Sequence, residues 1–392
     1  MINASTRARS ASRSDAAMKS TSTGSMSPVT SITSTRPAAA TAGAGSVRRA
    51  PNASNTLASV RNGCTNLREG TRLDPAGFCS QTRLVIVAGK GGVGKTTVTA
   101  ALARMAAGAG LSTLIVEVEG KSGLASTFDA GELTYQETVL HPGGAGAAEV
   151  RARTLTPDDA LLEYLVDHGL RRISKRLVRS GALDVVATAA PGIRDILVLG
   201  KVKQLERAGA ADLIVLDAPA AGHAITFLMS SRGLLDAVRV GPVRAQAEDV
   251  LELLTDRRRC QVVLVTLPEE TPVNELVETA FALEDRVGVS LGPVVVNGIY
   301  PELDGLDVDP EHAAEAAGTS LRPGEADMLR AAGRFRRGRQ SLQREQVERL
   351  AAALPLPQLR LPFLFEADLG LTEIDRLAGA LAHEIEALDV IA

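Results

Sequence analysis

From Thr82 onward the hydrophobic positions fall into two alternating patterns. Short β-branched runs, "RLVIVAG", "STLIVEVEG", "ADLIVLDAP", "CQVVLVTLP" and "GPVVVNG", are separated by longer stretches with helical spacing. Unbroken apolar runs predict strands buried on both faces, and repeated strand–helix units predict a doubly wound α/β fold around a mostly parallel sheet. One helix start is legible in detail. Thr271 predicts the N-cap and Pro272 the first helical position, Val273, Leu276, Val277 and Ala280 share a face, and Gly288 ends the helix. Helical insertions are expected at about 157–207 and 312–353, and no internal duplication is visible.

Residues 1–81 carry neither period. Stretches such as "STSTGSMSPVTSITSTRPAAATAGAG" hold too little apolar surface to offset ordering entropy, so a disordered segment is expected before a folded region at 82–392. The expected role is a dispensable tail or a start assigned too far upstream; an organellar targeting segment is the other reading of this composition.

Composition narrows the picture further. Only 3% of residues are aromatic and Trp is absent, so Ala, Val and Leu must fill the interior, as in layered α/β proteins. The net charge of −3 hides a split: +8 through Arg72 and −11 beyond it. An acidic body argues against a nucleic-acid surface. No run reaches the eighteen or so apolar residues of a membrane span, so no integral membrane segment is expected. Cys64, Cys79 and Cys260 form no C-x-x-C pair and no disulfide framework, which fits a reducing cytoplasm.

The chemistry concentrates after the first apolar run. Gly89, Lys90, Gly91, Gly92, Val93, Gly94, Lys95 and Thr96 satisfy G-x-x-x-x-G-K-[ST], with a strand pattern before them and a helical pattern after. Glycines let successive backbone N–H groups converge on phosphate oxygens, and the following helix, with Thr97 in its first turn, adds its positive end. Lys95 supplies a point charge and the Thr96 hydroxyl a ligand for Mg²⁺. Asp217, ending "DLIVLD", supplies the second acidic position that orients the metal's waters. Glu119 ends another apolar run, where it either aligns a water for in-line attack or is a loop charge.

These segments resemble the ArsA and Get-pathway ATPases, within the larger group that includes the MinD and ParA proteins, from Leu84 to about Ala387. "GKGGVGKTT" resembles that group's deviant P-loop, and "DAPAAGH" its D-T-A-P-T-G-H switch, although Ala218, Pro219, Ala220 and Ala221 depart from it. "VEGKSGL", from Val118, matches the T-D-P-A-S-N-V switch in length, with Glu119 where the family has a water-positioning Asp. The resemblance implies a P-loop NTPase fold binding ATP and Mg²⁺, with Asn297 recognising adenine and Pro362 and Phe363 in the adenine-side loop. It also implies that Lys90 reaches across a dimer interface to the other subunit's nucleotide, and that His223 senses the phosphate state rather than merely capping a helix.

The departures restrict what is expected. The family's arsenite and bridging zinc sites need convergent thiolates that these cysteines do not supply, so neither site is expected. Only Met229 lies in the stretch after the second switch, where tail-anchor targeting members carry a Met-rich hairpin. The expected activity is therefore a Mg-dependent ATPase. It would dimerise with itself or a paralogous ATPase and couple hydrolysis to movement toward an unidentified protein client. Two alternatives are a weakly hydrolysing nucleotide-binding subunit beside a catalytic paralogue, motivated by Glu119, and a ParA- or MinD-like partitioning ATPase.

Overall fold

A computed structural model describes residues 73–118, 122–167, 169, 172 and 192–388, all within the unit Asn52–Ala392. Its centre is β1 (Leu84–Gly89), apolar and buried at every position, which requires cover on both faces. The five apolar runs form β1, β2 (Thr113–Val118), β5 (Leu213–Ala220), β6 (Cys260–Thr266) and β7 (Leu291–Ile299). The eight-stranded sheet has the order β3-β4-β2-β5-β1-β6-β7-β8. Every pairing is parallel except that of β3 with β4.

Three strands carry patterns too weak to predict: β3 (Thr138–His141), β4 (Val150–Leu155) and β8 (Gln358–Pro362). β4, "VRARTL", has arginines at alternate positions, yet its register against β2 is continuous. Tertiary partners make this tolerable. Arg151 pairs with Glu137 and Glu149, and the Arg153 guanidinium stacks 4.4 Å from the Tyr135 ring centroid.

Residues alternate along β1 between two cores. Leu84, Ile86 and Ala88 face one, covered by α5 (Ile193–Ala208), α6 (Ala221–Ala237), α7 (Pro242–Thr255), α8 (Glu270–Arg286) and the end of α10 (Glu325–Ala353). Val85 and Val87 face the other, under α2 (Lys95–Gly108) and α11 (Leu371–Glu386). In the first insertion, α4 (Pro157–Asp167) packs on α5, whose Ile196, Val198, Leu199 and Val202 belong to the sheet core. This face also buries one charge of each of two ion pairs: Lys203, which meets the part-exposed Asp249 at 2.7 Å, and Glu206, which meets Arg259 at 2.6 Å.

Two boundaries differ from expectation. Residues 73–81, placed in the disordered segment, include α1 (Pro75–Cys79), capped by Asp74 and packing Leu73, Phe78 and Cys79 into the core beneath α2 and α11. Three apolar residues in so short a span show no period; only their contacts order them. Helix α8 starts at Glu270 with Glu269 as N-cap, so Pro272 is the third helical residue, not the first. There too the missing N–H costs nothing, because the first-turn donors have no intrahelical partner. Gly288, at φ +79°, receives the end of α8 as predicted.

Candidate functional site

The loop between β1 and α2 lies at the carboxyl edge of the sheet. Gly89 is there because nothing larger fits: a Cβ would lie 2.3 Å from the Val265 carbonyl oxygen on β6. Gly91 and Gly92 are exposed, Val93 is buried as the loop's anchor, and Gly94 caps α2 at φ +87°. At Gly94 a Cβ would be strained and would also meet Asn297 Nδ2 at 2.3 Å. Asn297, on β7, donates that amide to the Val93 carbonyl at 3.0 Å, so a side chain 204 residues away braces the loop.

Lys95 begins α2 almost fully buried, and its Nζ donates to the Lys90 carbonyl at 3.0 Å, closing the loop around its ammonium. Thr96 Oγ1 donates to Asp217 Oδ2 at 2.7 Å. Thr97 follows, half-buried, in the first turn of α2. Asp217 is fully buried at the fifth of the eight positions of β5, which runs on to Ala220 rather than ending at the carboxylate, and it is in register with Val87 of β1 and Glu117 of β2. A hydroxyl and a carboxylate oxygen this close, at the positive end of a helix, are hard donors of the kind Mg²⁺ takes, so the residues fit that ion.

Two residues that the sequence did not single out join this edge. Glu117 is fully buried and accepts from Thr154 Oγ1 at 3.2 Å, beside Asp217 in the ladder. Its available signal was one carboxylate inside the otherwise apolar β2. Glu275, on α8, accepts from Lys90 Nζ at 2.6 Å, both side chains more than a third exposed. One exposed glutamate among several on an amphipathic helix offered no signal. In this single chain Lys90 is thus held by its own subunit.

Pro362 ends β8 opposite Ile299, and the Phe363 N–H donates to the Ile299 carbonyl at 2.7 Å. The Phe363 ring packs 5.0 Å from Tyr300 and 4.8 Å from Phe365. Asn297 and Phe363 thereby sit on neighbouring strand ends. His223 is exposed in the first turn of α6. Glu119 lies outside the described residues. Cys79 and Cys260 lie in the cores on opposite faces of the sheet, and burial raises both thiols, Cys79 to about 12.

Comparison with known proteins bears on this site. The sequence pattern of the anion-transporting ATPase family matches residues 82–241. ATPase BagA of Mycobacterium tuberculosis is 37% identical over 259 residues, spanning 64% of this chain and 73% of that protein. The chain belongs to the anion-transporting ATPase family. An arsenical pump-driving ATPase of Escherichia coli is 26% identical, and a putative one of Halobacterium salinarum 28%. The match spans 35% and 36% of their lengths. Membership of this family makes the chain a P-loop ATPase, and the loop just described lies inside the matched region. Among the described residues no helix is long and apolar enough to cross a membrane.

Proposed function

We propose that the chain hydrolyses Mg-ATP at the loop between β1 and α2 and dimerises around the nucleotide to drive a conformational change toward a protein client. The observation that carries this reading is the Thr96–Asp217 hydrogen bond of 2.7 Å, set beside the Lys95 ammonium at the start of α2. Backbone N–H groups from Gly89 to Thr97 cradle the phosphates, and Lys95 turns from the Lys90 carbonyl to their oxygens. Thr96 and Asp217 hold Mg²⁺, which supplies charge neutralisation on the phosphoryl group. Asn297, Pro362 and Phe363 bound the adenine. Glu119, one residue beyond β2, positions the attacking water, and Lys90 leaves Glu275 to contribute charge at the partner subunit's nucleotide.

Lys95→Ala tests the assignment. Its expected outcome is loss of ATP binding by calorimetry and of phosphate release, with the unfolding midpoint retained. Undiminished turnover in that variant would reject the site. Sedimentation with and without a non-hydrolysable ATP analogue tests the dimer, and a mass unaltered by nucleotide would remove that part of the proposal.

A further inference from the structure

Four positions in register form a row across the sheet: Thr154 on β4, Glu117 on β2, Asp217 on β5 and Val87 on β1. Each follows by two residues a member of the core beneath α2, namely Ala152, Ile115, Val215 and Val85, so all four side chains face the α2 side. Neighbouring strands lie about 4.8 Å apart, which sets the Glu117 and Asp217 carboxylates side by side. Both residues are fully buried. On one flank Thr96, in the first turn of α2, donates to Asp217 Oδ2 at 2.7 Å; on the other Thr154 Oγ1 donates to Glu117 Oε2 at 3.2 Å.

Packing alone does not call for an acid at 117. A glutamine there would accept the same bond from Thr154, and burying an amide costs far less than burying an ionised carboxylate. A second carboxylate one strand away adds like-charge repulsion. What this pair of acids does suit is a divalent cation at the start of α2. Mg²⁺ is held through one or two carboxylates and keeps several waters, whose hydrogens need acceptors. Groups that accept from a metal's ligands fix its position without touching it.

We propose that Glu117 is a positioning residue of the Mg²⁺ site, accepting hydrogen bonds from the ion's waters on the β2 side while Asp217 serves the β5 side. Thr154 holds the Glu117 carboxylate in place for this role. The proposal rests on the Mg-ATP reading above and adds to it a residue that neither the glycine loop nor the Asp217 segment contains.

The test uses the full chain and compares, by calorimetry, its affinity for a non-hydrolysable ATP analogue in Mg²⁺ and in EDTA. In Glu117→Gln the gain in affinity conferred by Mg²⁺ is expected to fall about tenfold or more. Its affinity in EDTA is expected to hold or rise, because a negative charge has left the neighbourhood of the phosphates. Glu117→Asp, with the same charge on a shorter arm, is expected to retain part of the gain. Thr154→Val keeps the carboxylate but removes the hydroxyl that orients it. It is expected to lose about threefold of the gain, and it decides the matter should Glu117→Gln fail to fold. Equal weakening in Mg²⁺ and in EDTA would overturn the proposal, assigning Glu117 to the Lys95 ammonium or to the core. Asp217→Asn separates the two readings. If it loses the gain while the Glu117 and Thr154 variants keep it, the role of Glu117 is refuted and the Mg²⁺ site stands; if it too keeps the gain, both fall.

Discussion

Replacing Glu275 by glutamine removes the charge that holds Lys90 at 2.6 Å while keeping a side chain of the same shape. If Lys90 acts at a partner's nucleotide, it must first leave Glu275, and that ion pair is part of the barrier. With side chains 38% and 40% exposed, the pair is in high dielectric and worth about 0.5–1 kcal/mol. Removing it is therefore expected to raise turnover about two- to fivefold. The assay is phosphate release at saturating Mg-ATP over a range of protein concentrations, with Lys90→Ala and the double variant alongside. The gain should vanish in the Lys90→Ala background. It should also shrink as salt rises, because screening already weakens the wild-type pair. Turnover unchanged or lowered by Glu275→Gln, or raised equally without Lys90, would refute a cis-held lysine that works in trans.

Three further outcomes follow from local geometry. Gly94→Ala forces a side chain to φ +87° and displaces Asn297 from the Val93 carbonyl. The left-handed conformation costs about 1–2 kcal/mol and the lost hydrogen bond about 1 kcal/mol, a sum readable in urea unfolding together with weakened nucleotide binding. Asp249→Asn removes the charge opposite buried Lys203; because Asp249 is 40% exposed, the expected destabilisation is about 1–2 kcal/mol, measured the same way. Hydrogen bonds from the Ser112 hydroxyl and N–H hold the Asp212 carboxyl below its ordinary value of 3.8. Its contribution is present above that value and lost as pH falls through the lower folded one. Asp212→Asn should therefore flatten the decline in urea midpoint between about pH 5 and about pH 2.

The parts of the site that could be read from the chain are those whose chemistry and conformation share a few adjacent residues. The glycines, Lys95 and Thr96 fall in one segment whose loop geometry follows from its own backbone preferences, and Asp217 is marked by the run of four apolar residues, Leu213 to Leu216, before it. Strands β3, β4 and β8 escaped because their burial depends on partners. Arg153 lies inward because Tyr135 and Glu137 meet its guanidinium, and "QLRLP" pairs only because β7 is beside it. The early helix α1 escaped for the same reason.

Hydrophobic period and glycine placement act over a few residues, so the order of residues along the chain was enough to fix the doubly wound class, the glycine loop after β1 and the acidic position that follows the apolar run of β5. That Glu275 holds Lys90, that Asn297 braces the loop and that Glu117 lies beside Asp217 all follow from how the elements pack. Each of those is a contact between residues tens to hundreds of positions apart. Many side chains of the same type were available for it, and strand order and helix packing select one.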